Sequence, residues 1–310
     1  MTTMRERFVK VASEALESNQ RVAVVLAGIS VDAFGPAKAR HPDRVLNVGI
    51  REQAMIGVAA GLALEGMRPV VHTFAPFLVE RPFESLKIDL AHQGLGAVLV
   101  SIGASHDVPA YGRTHECPED VALLDTLRAW TVHVPGHPEE AATHLRAALA
   151  HEGLVYLRLS EASNRAPVAA GPAMTVLRRG ARGTVVAVGP MLDAVFEAVE
   201  DLDVTVLYAT TVRPFDATTL RATLSEPAVV VVEPYLAATS LPNVSRALCD
   251  IAHRSCGLGV GEADGGVDLH RYGTRAEHDA AHGLDPEGLR ARITRFLDGT
   301  PDGSRDDNSA

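Results

Sequence analysis

The sequence predicts an α/β fold built as two doubly wound domains, on three observations. Short apolar runs alternate with stretches of helical length along most of the chain. The runs are continuous rather than alternating in polarity, as expected for strands of a parallel sheet covered on both faces. With 310 residues, 46% of them hydrophobic, the chain can bury a sizeable core, and its length suggests two domains rather than one.

The first set of strands is predicted at 22–29, 45–48, 69–74, 97–102, 130–134 and 154–159, with helices at 51–65, 82–92, 119–128 and 138–151. The apolar run 45–50 reads as a buried strand, and 56–64, rich in Ala and Gly, as a helix packed on all sides. Pro82 suits the first turn of its helix, where a missing N–H costs nothing. A softer stretch, 161–172, precedes a second set with strands at 184–188, 204–208 and 228–233 and helices at 192–202, 217–224 and 241–253. Asp216 is placed to cap the second of these helices. The boundary falls near residue 168, so the domains are expected at 1–168 and 169–298, with a polar, glycine-bearing and disordered tail at 299–310.

Charge and composition exclude several classes of function. The formal charge of −10 argues against nucleic acid or an anionic membrane as partner. No apolar run approaches the roughly 20 residues needed to span a bilayer, and residues 1–10 lack the apolar core of a signal peptide, so a cytoplasmic location is expected. The three cysteines, Cys117, Cys249 and Cys256, show no Cys-x-x-Cys spacing and indicate neither a disulfide framework nor a zinc site. Cys117 reads as a small apolar filler.

The candidate chemistry gathers in the first domain. Glu52 sits where a sheet ends and a helix begins, the edge at which open α/β sheets bind ligands, so a poorly solvated carboxylate there is a candidate for acid/base work. The alternative is an ordinary carboxylate favoured by the helix dipole. Phe74 and Phe77 follow a strand and read either as a ring-binding pair or as core. His106 and His115 lie in a long connection between Ile102 and Glu119, and loop histidines suit proton transfer near neutral pH. His72 reads equally as a strand histidine or a site residue, and Arg81 either points into the site or covers the helix stem.

The segments 47–55 (NVGIREQAM), 73–78 (TFAPFL), 105–107 (SHD) and 114–115 (TH) resemble, in order and spacing, the pyrimidine-binding domain of the transketolase family of thiamine-diphosphate enzymes. Residues 211–216 (TVRPFD) and 282–285 (HGLD) are similar to the family's C-terminal domain, so the resemblance covers nearly the whole chain. It implies a pyrimidine-binding domain followed by a transketolase C-terminal-like domain. It further implies that Glu52 hydrogen-bonds the coenzyme's aminopyrimidine, that Phe74 and Phe77 line that ring, and that His72, His106, Asp107, Arg113 and His115 face substrate. By that resemblance Glu52, His106 and His115 are expected to carry the catalytic roles.

Departures from the family pattern shape the expectation. The Gly-Asp-Gly motif that holds metal and diphosphate occurs nowhere in these residues, so Mg2+ (or Ca2+) is expected on a separate diphosphate-binding subunit, and no metal ligand is assigned here. A heterotetramer is the most economical assembly. Glu161 stands where the family places an arginine that grips sugar phosphate, and a carboxylate there repels phosphate. Arg113 or Arg158 is left to take that contact, or else the acceptor carries no phosphate. The resemblance thus implies two-carbon ketol transfer to an atypical sugar or a carrier-bound acceptor. Competing readings are the β subunit of a 2-oxo acid dehydrogenase, a 1-deoxyxylulose 5-phosphate synthase fragment and a non-catalytic scaffold.

Overall fold

The computed structural model describes residues 2–127, 129–261 and 272–299, so nearly all of the predicted tail lies outside the described residues. Two α/β domains form, each around its own sheet. The first sheet contains β1 (Val22–Leu26), β2 (Val45–Asn47), β3 (Arg68–Phe74), β4 (Val98–Ile102), β5 (Trp130–His133) and β6 (Leu154–Arg158). The second contains β7 (Thr175–Arg178), β8 (Thr184–Val188), β9 (Thr205–Ala209), β11 (Ala228–Leu236) and β12 (Arg254–Val260). One short strand, β10 (Thr211–Arg213), leaves the second half of the chain and joins the first sheet.

The seven-stranded order is β10-β5-β6-β4-β3-β1-β2, parallel except where β10 runs antiparallel to β5. Because the chain goes from β1 to β2 on one side and then to β3 on the other, the order reverses between β1 and β3. That switch opens a crevice at the carboxyl ends of these strands. The five-stranded order is β12-β11-β8-β9-β7, with β7 antiparallel at the edge.

Side chains along each central strand divide between two cores, because successive residues face opposite ways. Val24, Val70, Val98, Val100 and Leu157 pack with Phe8 and Leu16 of the helix Met4–Ser18 and Leu145 of the helix Pro138–Ala150. Val25, Val71, Leu99 and Tyr156 enter another cluster, which also holds Val186, Leu207, Val229 and Val231 of the second sheet. The domains therefore share one continuous core. Val185, Val206, Val230 and Leu258 on the opposite face pack against the helices Leu192–Ala198 and Pro286–Leu297.

Several expectations need correction. The predicted strand 45–50 stops at Asn47, and Ile50 is 75% exposed, because Gly49 takes a left-handed turn (φ 72°) that lifts the chain off the sheet. The helix Glu52–Leu64 is not packed on all sides: Glu52, Met55, Ile56, Ala59 and Ala60 are buried, whereas Gly57, Gly61 and Leu64 lie open. The predicted helix from Pro82 is short at Phe83–Ser85 and continues in wider π-type turns at Leu86–His92, after another such turn at Pro76–Glu80. β7, β10 and β12 were not expected, the first two being too short to announce themselves by periodicity. Asp216 caps its helix as expected, accepting from the Thr219 N–H at 3.0 Å.

Candidate active site

Most candidate side chains lie at or just beyond the carboxyl end of a strand in the parallel sheet, whereas His72 lies within β3. Glu52 comes after β2, Phe74 ends β3 with Phe77 just beyond, the loop carrying His106 and His115 follows β4, and Ser160 and Glu161 follow β6. The fold thus gathers residues distant in sequence along one sheet edge.

Glu52 opens its helix, where the dipole favours a carboxylate. It is 1% exposed. One oxygen, Oε2, accepts from Arg81 Nη1 at 2.7 Å, while Oε1 is buried without any hydrogen-bond partner. An orphaned carboxylate oxygen is costly, about 1–3 kcal/mol or more, and calls for a donor from elsewhere. The Arg81 guanidinium also lies over the Phe77 ring, 4.0 Å from its centroid. A planar N–H donor therefore already stacks on Phe77 while bonding Glu52, which settles the alternatives for Arg81: it points into the site.

Phe74, Phe77 and His115 form a mutual edge-to-face cluster with centroids 5.2 to 6.0 Å apart. Tyr111 closes on His115 at 4.9 Å, and His115 Nδ1 meets the Thr114 hydroxyl at 2.9 Å. Gly103 makes room for this cluster. At φ 63° a side chain there would be strained, and its Cβ would fall 2.5 Å from Phe74 Cδ1. The loop is tied at its base, where Ser105 and Cys117 exchange backbone hydrogen bonds of 3.3 and 3.1 Å. Cys117 is buried beside Ala75 and Ala104, as a filler should be, and burial pushes its thiol well up.

The remaining sequence candidates lie in other surroundings. His72 is wholly buried: Nδ1–H donates to the Val100 carbonyl at 2.8 Å and Nε2 accepts from Ser30 at 2.9 Å. Burial lowers its pKa to about 4, so the ring is neutral near pH 7. Asp107 accepts from Ser160 Oγ at 2.9 Å, the Glu161 N–H at 3.1 Å and Arg275 Nη1 at 2.5 Å. Arg113 turns to Glu119 at 2.6 Å and to the Glu116 carbonyl at 2.9 Å. His106 is buried against the helix Arg275–Ala281, and its Nε2–H donates to Asp279 Oδ1 at 2.7 Å. Arg158, one of the two arginines left to meet a phosphate, is 1% exposed and held inside by Asp120 at 2.7 Å and Ser105 at 2.9 Å. Burial and the Asp107 charge raise the Glu161 pKa.

Sequence reasoning missed Arg275, His278 and Asp279, which the helix Arg275–Ala281 delivers to the loop, and saw no chemistry in His282. The i, i+4 spacing of His278 and His282 was the one available signal, since it sets two imidazoles on one helix face.

Residues 2–167 match the transketolase pyrimidine binding domain family. The chain belongs to the transketolase family. It is built like the C-terminal subunit of a split transketolase: a solved structure described as a split gene transketolase, inactive beta4 tetramer, superposes with a TM-score of 0.81 at 26% identity, over 96% of this chain and 98% of that one. An uncharacterized 33.6 kDa protein in the fasciation locus of Rhodococcoides fascians is 51% identical, over 96% of this chain and 95% of that protein. The 6-deoxy-6-sulfo-D-fructose transketolase subunit SqwH of Clostridium sp. (strain MSTE9) is 31% identical, over 74% of this chain and 75% of its own length.

Proposed function

We propose that this chain is the aminopyrimidine-holding subunit of a thiamine-diphosphate-dependent transketolase-type enzyme, transferring a two-carbon ketol unit from a ketose donor to an atypical acceptor. The observation that carries this reading is the buried Glu52 carboxylate, with one oxygen orphaned and the other bonded to a planar donor stacked on Phe77. Arg81 stands in for the flat, N–H-bearing ring the site would accept, so the residues present fit the coenzyme.

Thiamine diphosphate, when bound, supplies the electron sink that lets a carbon–carbon bond beside a carbonyl break and form. Glu52 would hold a proton at its unpartnered carboxyl oxygen for a nitrogen of that ring, away from water that would weaken the hydrogen bond. Phe74 and Phe77 would flank the ring, and His115, packed on both, would move a proton at the substrate oxygen. His72, Asp107 and Arg113 orient strand and loop from within, and His106 fixes the loop against Asp279.

The working enzyme needs a separate subunit carrying Gly-Asp-Gly, which would hold the diphosphate and Mg2+ or Ca2+. The open stripe of Ile50, Gly57, Gly61 and Leu64 beside Glu52 supports such a partner, because contiguous apolar surface marks an interface. A heterotetramer of cytoplasmic location, with residues 1–168 as the pyrimidine domain and 169–298 as the C-terminal domain, completes the reading. Among the described residues, no helix is long and apolar enough to cross a membrane.

An acceptor other than common pentose phosphates is supported by Glu161 and by the engagement of Arg113 and Arg158 with internal carboxylates. The relative named for 6-deoxy-6-sulfo-D-fructose is in keeping with an unusual sugar. Reconstitution with the Gly-Asp-Gly subunit and assay against a panel of ketose donors tests the proposal. Robust turnover of xylulose 5-phosphate with ribose 5-phosphate would overturn the acceptor assignment. Tight binding of coenzyme and Mg2+ by the isolated chain in calorimetry would overturn the dependence on a partner.

A further inference from the structure

Where the loop after β4 meets the helix Arg275–Ala281, three histidines come together from opposite ends of the chain. Nitrogens of His106, His278 and His282 lie within 4.8 Å of one another, and all three residues are buried. Their rings stand nearly parallel, with His106 5.3 Å from His278 and 5.6 Å from His282 between centroids. We propose that His106, His278 and His282, with Glu116 as an oxygen ligand, form a binding site for one transition-metal dication of the zinc type.

Two orphaned atoms point to a missing ligand. His106 Nδ1 is buried without a hydrogen-bond partner, and so is Glu116 Oε1. The Glu116 carboxylate lies 3.9 Å from His278 Nε2, which brings it to the rim of the cluster. A cation held here would satisfy both atoms.

The outer contacts also suit a metal. His106 donates its Nε2–H to Asp279, which leaves the buried, unpartnered Nδ1 as the nitrogen with a lone pair to offer, the arrangement that commonly orients a ligating imidazole. Asp279 is itself steadied by Arg275, whose Nε lies 3.5 Å from its other oxygen. His282 Nδ1 takes only a long 3.3 Å contact from the Gly261 N–H. Neutral imidazoles select zinc, cobalt, nickel or copper ions, whereas Mg2+ and Ca2+ demand oxygen. This site is therefore chemically distinct from the hard cation that accompanies a diphosphate. Its mechanical effect would be to clamp the loop bearing His115 onto the C-terminal domain, adding to the Asp107–Arg275 and His106–Asp279 pairs already there.

Titration of the tag-free full chain with Co2+ and Zn2+, in excess Mg2+, tests the proposal. The expected result is one equivalent bound, the intense visible absorption of four-coordinate Co2+ rather than the weak bands of a hydrated ion, its displacement by Zn2+, and a rise in Tm. His282→Gln and His106→Gln should each weaken binding at least about 10-fold, while His92→Gln, a change at an exposed histidine, should leave it unaltered. Folded variants that bind like the wild type would overturn the site. If those variants do not fold, the wild-type spectrum decides, and non-saturating uptake or only hydrated-ion bands would overturn it.

Discussion

Glu52 and Glu140 are both 1% exposed and both lie in the first turn of a helix. Their surroundings differ in one respect. Glu140 is fully engaged by the protein: Oε2 accepts from the Gly136 N–H at 2.8 Å and the Tyr208 hydroxyl at 2.7 Å, and Oε1 from the Val168 N–H at 2.8 Å. Those donors come from the first domain, the second sheet and the connection between them, so Glu140 stitches the two halves together. Glu52 has Arg81 on one oxygen and nothing on the other. Burial does not tell the two apart; the number of satisfied lone pairs does, and at Glu52 it leaves one oxygen for a donor from outside the chain.

The comparison breaks first at Glu52. In the reconstituted complex Glu52→Gln should lower turnover at least about 1000-fold, roughly 4 kcal/mol, while the Tm of the subunit barely moves. A variant that kept most of its activity would place Glu52 in the same class as Glu140. The reciprocal change, Glu140→Ala, leaves three buried donors without an acceptor and should cost about 3 kcal/mol in urea unfolding, with no change in the pH profile of turnover by whatever enzyme still folds.

A pH series extends the comparison to histidines. Burial lowers the pKa of His72 and His144 to about 4 and, with the His144 charge, that of His133 to about 3. The unfolded chain takes up these protons near pH 6.5 and the folded chain refuses them. The associated stability is thus present above about pH 6.5 and is lost as pH falls toward 4, by roughly 3 kcal/mol per ring. Glu233, raised to about 7 chiefly by burial, works in the other direction, removing stability as pH rises from about 4.5 to 7. Urea midpoints from pH 7 down to pH 4 should therefore fall, and a flat profile would show that these imidazoles accept protons in place. The smallest effect is expected at Arg81. Removing a partly exposed stacked cation worth about 0.5–1 kcal/mol, as in Arg81→Met, should tighten coenzyme binding by the complex two- to fivefold in calorimetry.

Much of the fold was legible because buried parallel strands are long apolar runs: Val22–Leu26, Val98–Ile102 and Leu154–Arg158 fall within the predicted spans. Helix ends were less so. The helices at 192–202 and 241–253 shorten to Leu192–Ala198 and Leu241–Ala247, since frayed turns retain helical composition without helical hydrogen bonds. Glu52, Phe74, Phe77 and His115 lie along one sheet edge, because strand and helix order alone places them there. Arg81 could not be assigned from sequence, since one rotamer separates a solvated side chain from one bonded to Glu52.

By itself the sequence determined the alternation of strand and helix, the split into two sheets and the sheet edge along which the candidate side chains lie. These follow from local periodicity and from the chirality of parallel crossovers. Only the tertiary structure decided that β10 would cross to the first sheet, that Arg158 would be spent on Asp120 and that His106 would meet Asp279 from 173 residues away. Such pairings depend on how two covered sheets dock, and the docking energy is spread over a shared core in which no single residue type announces its partner.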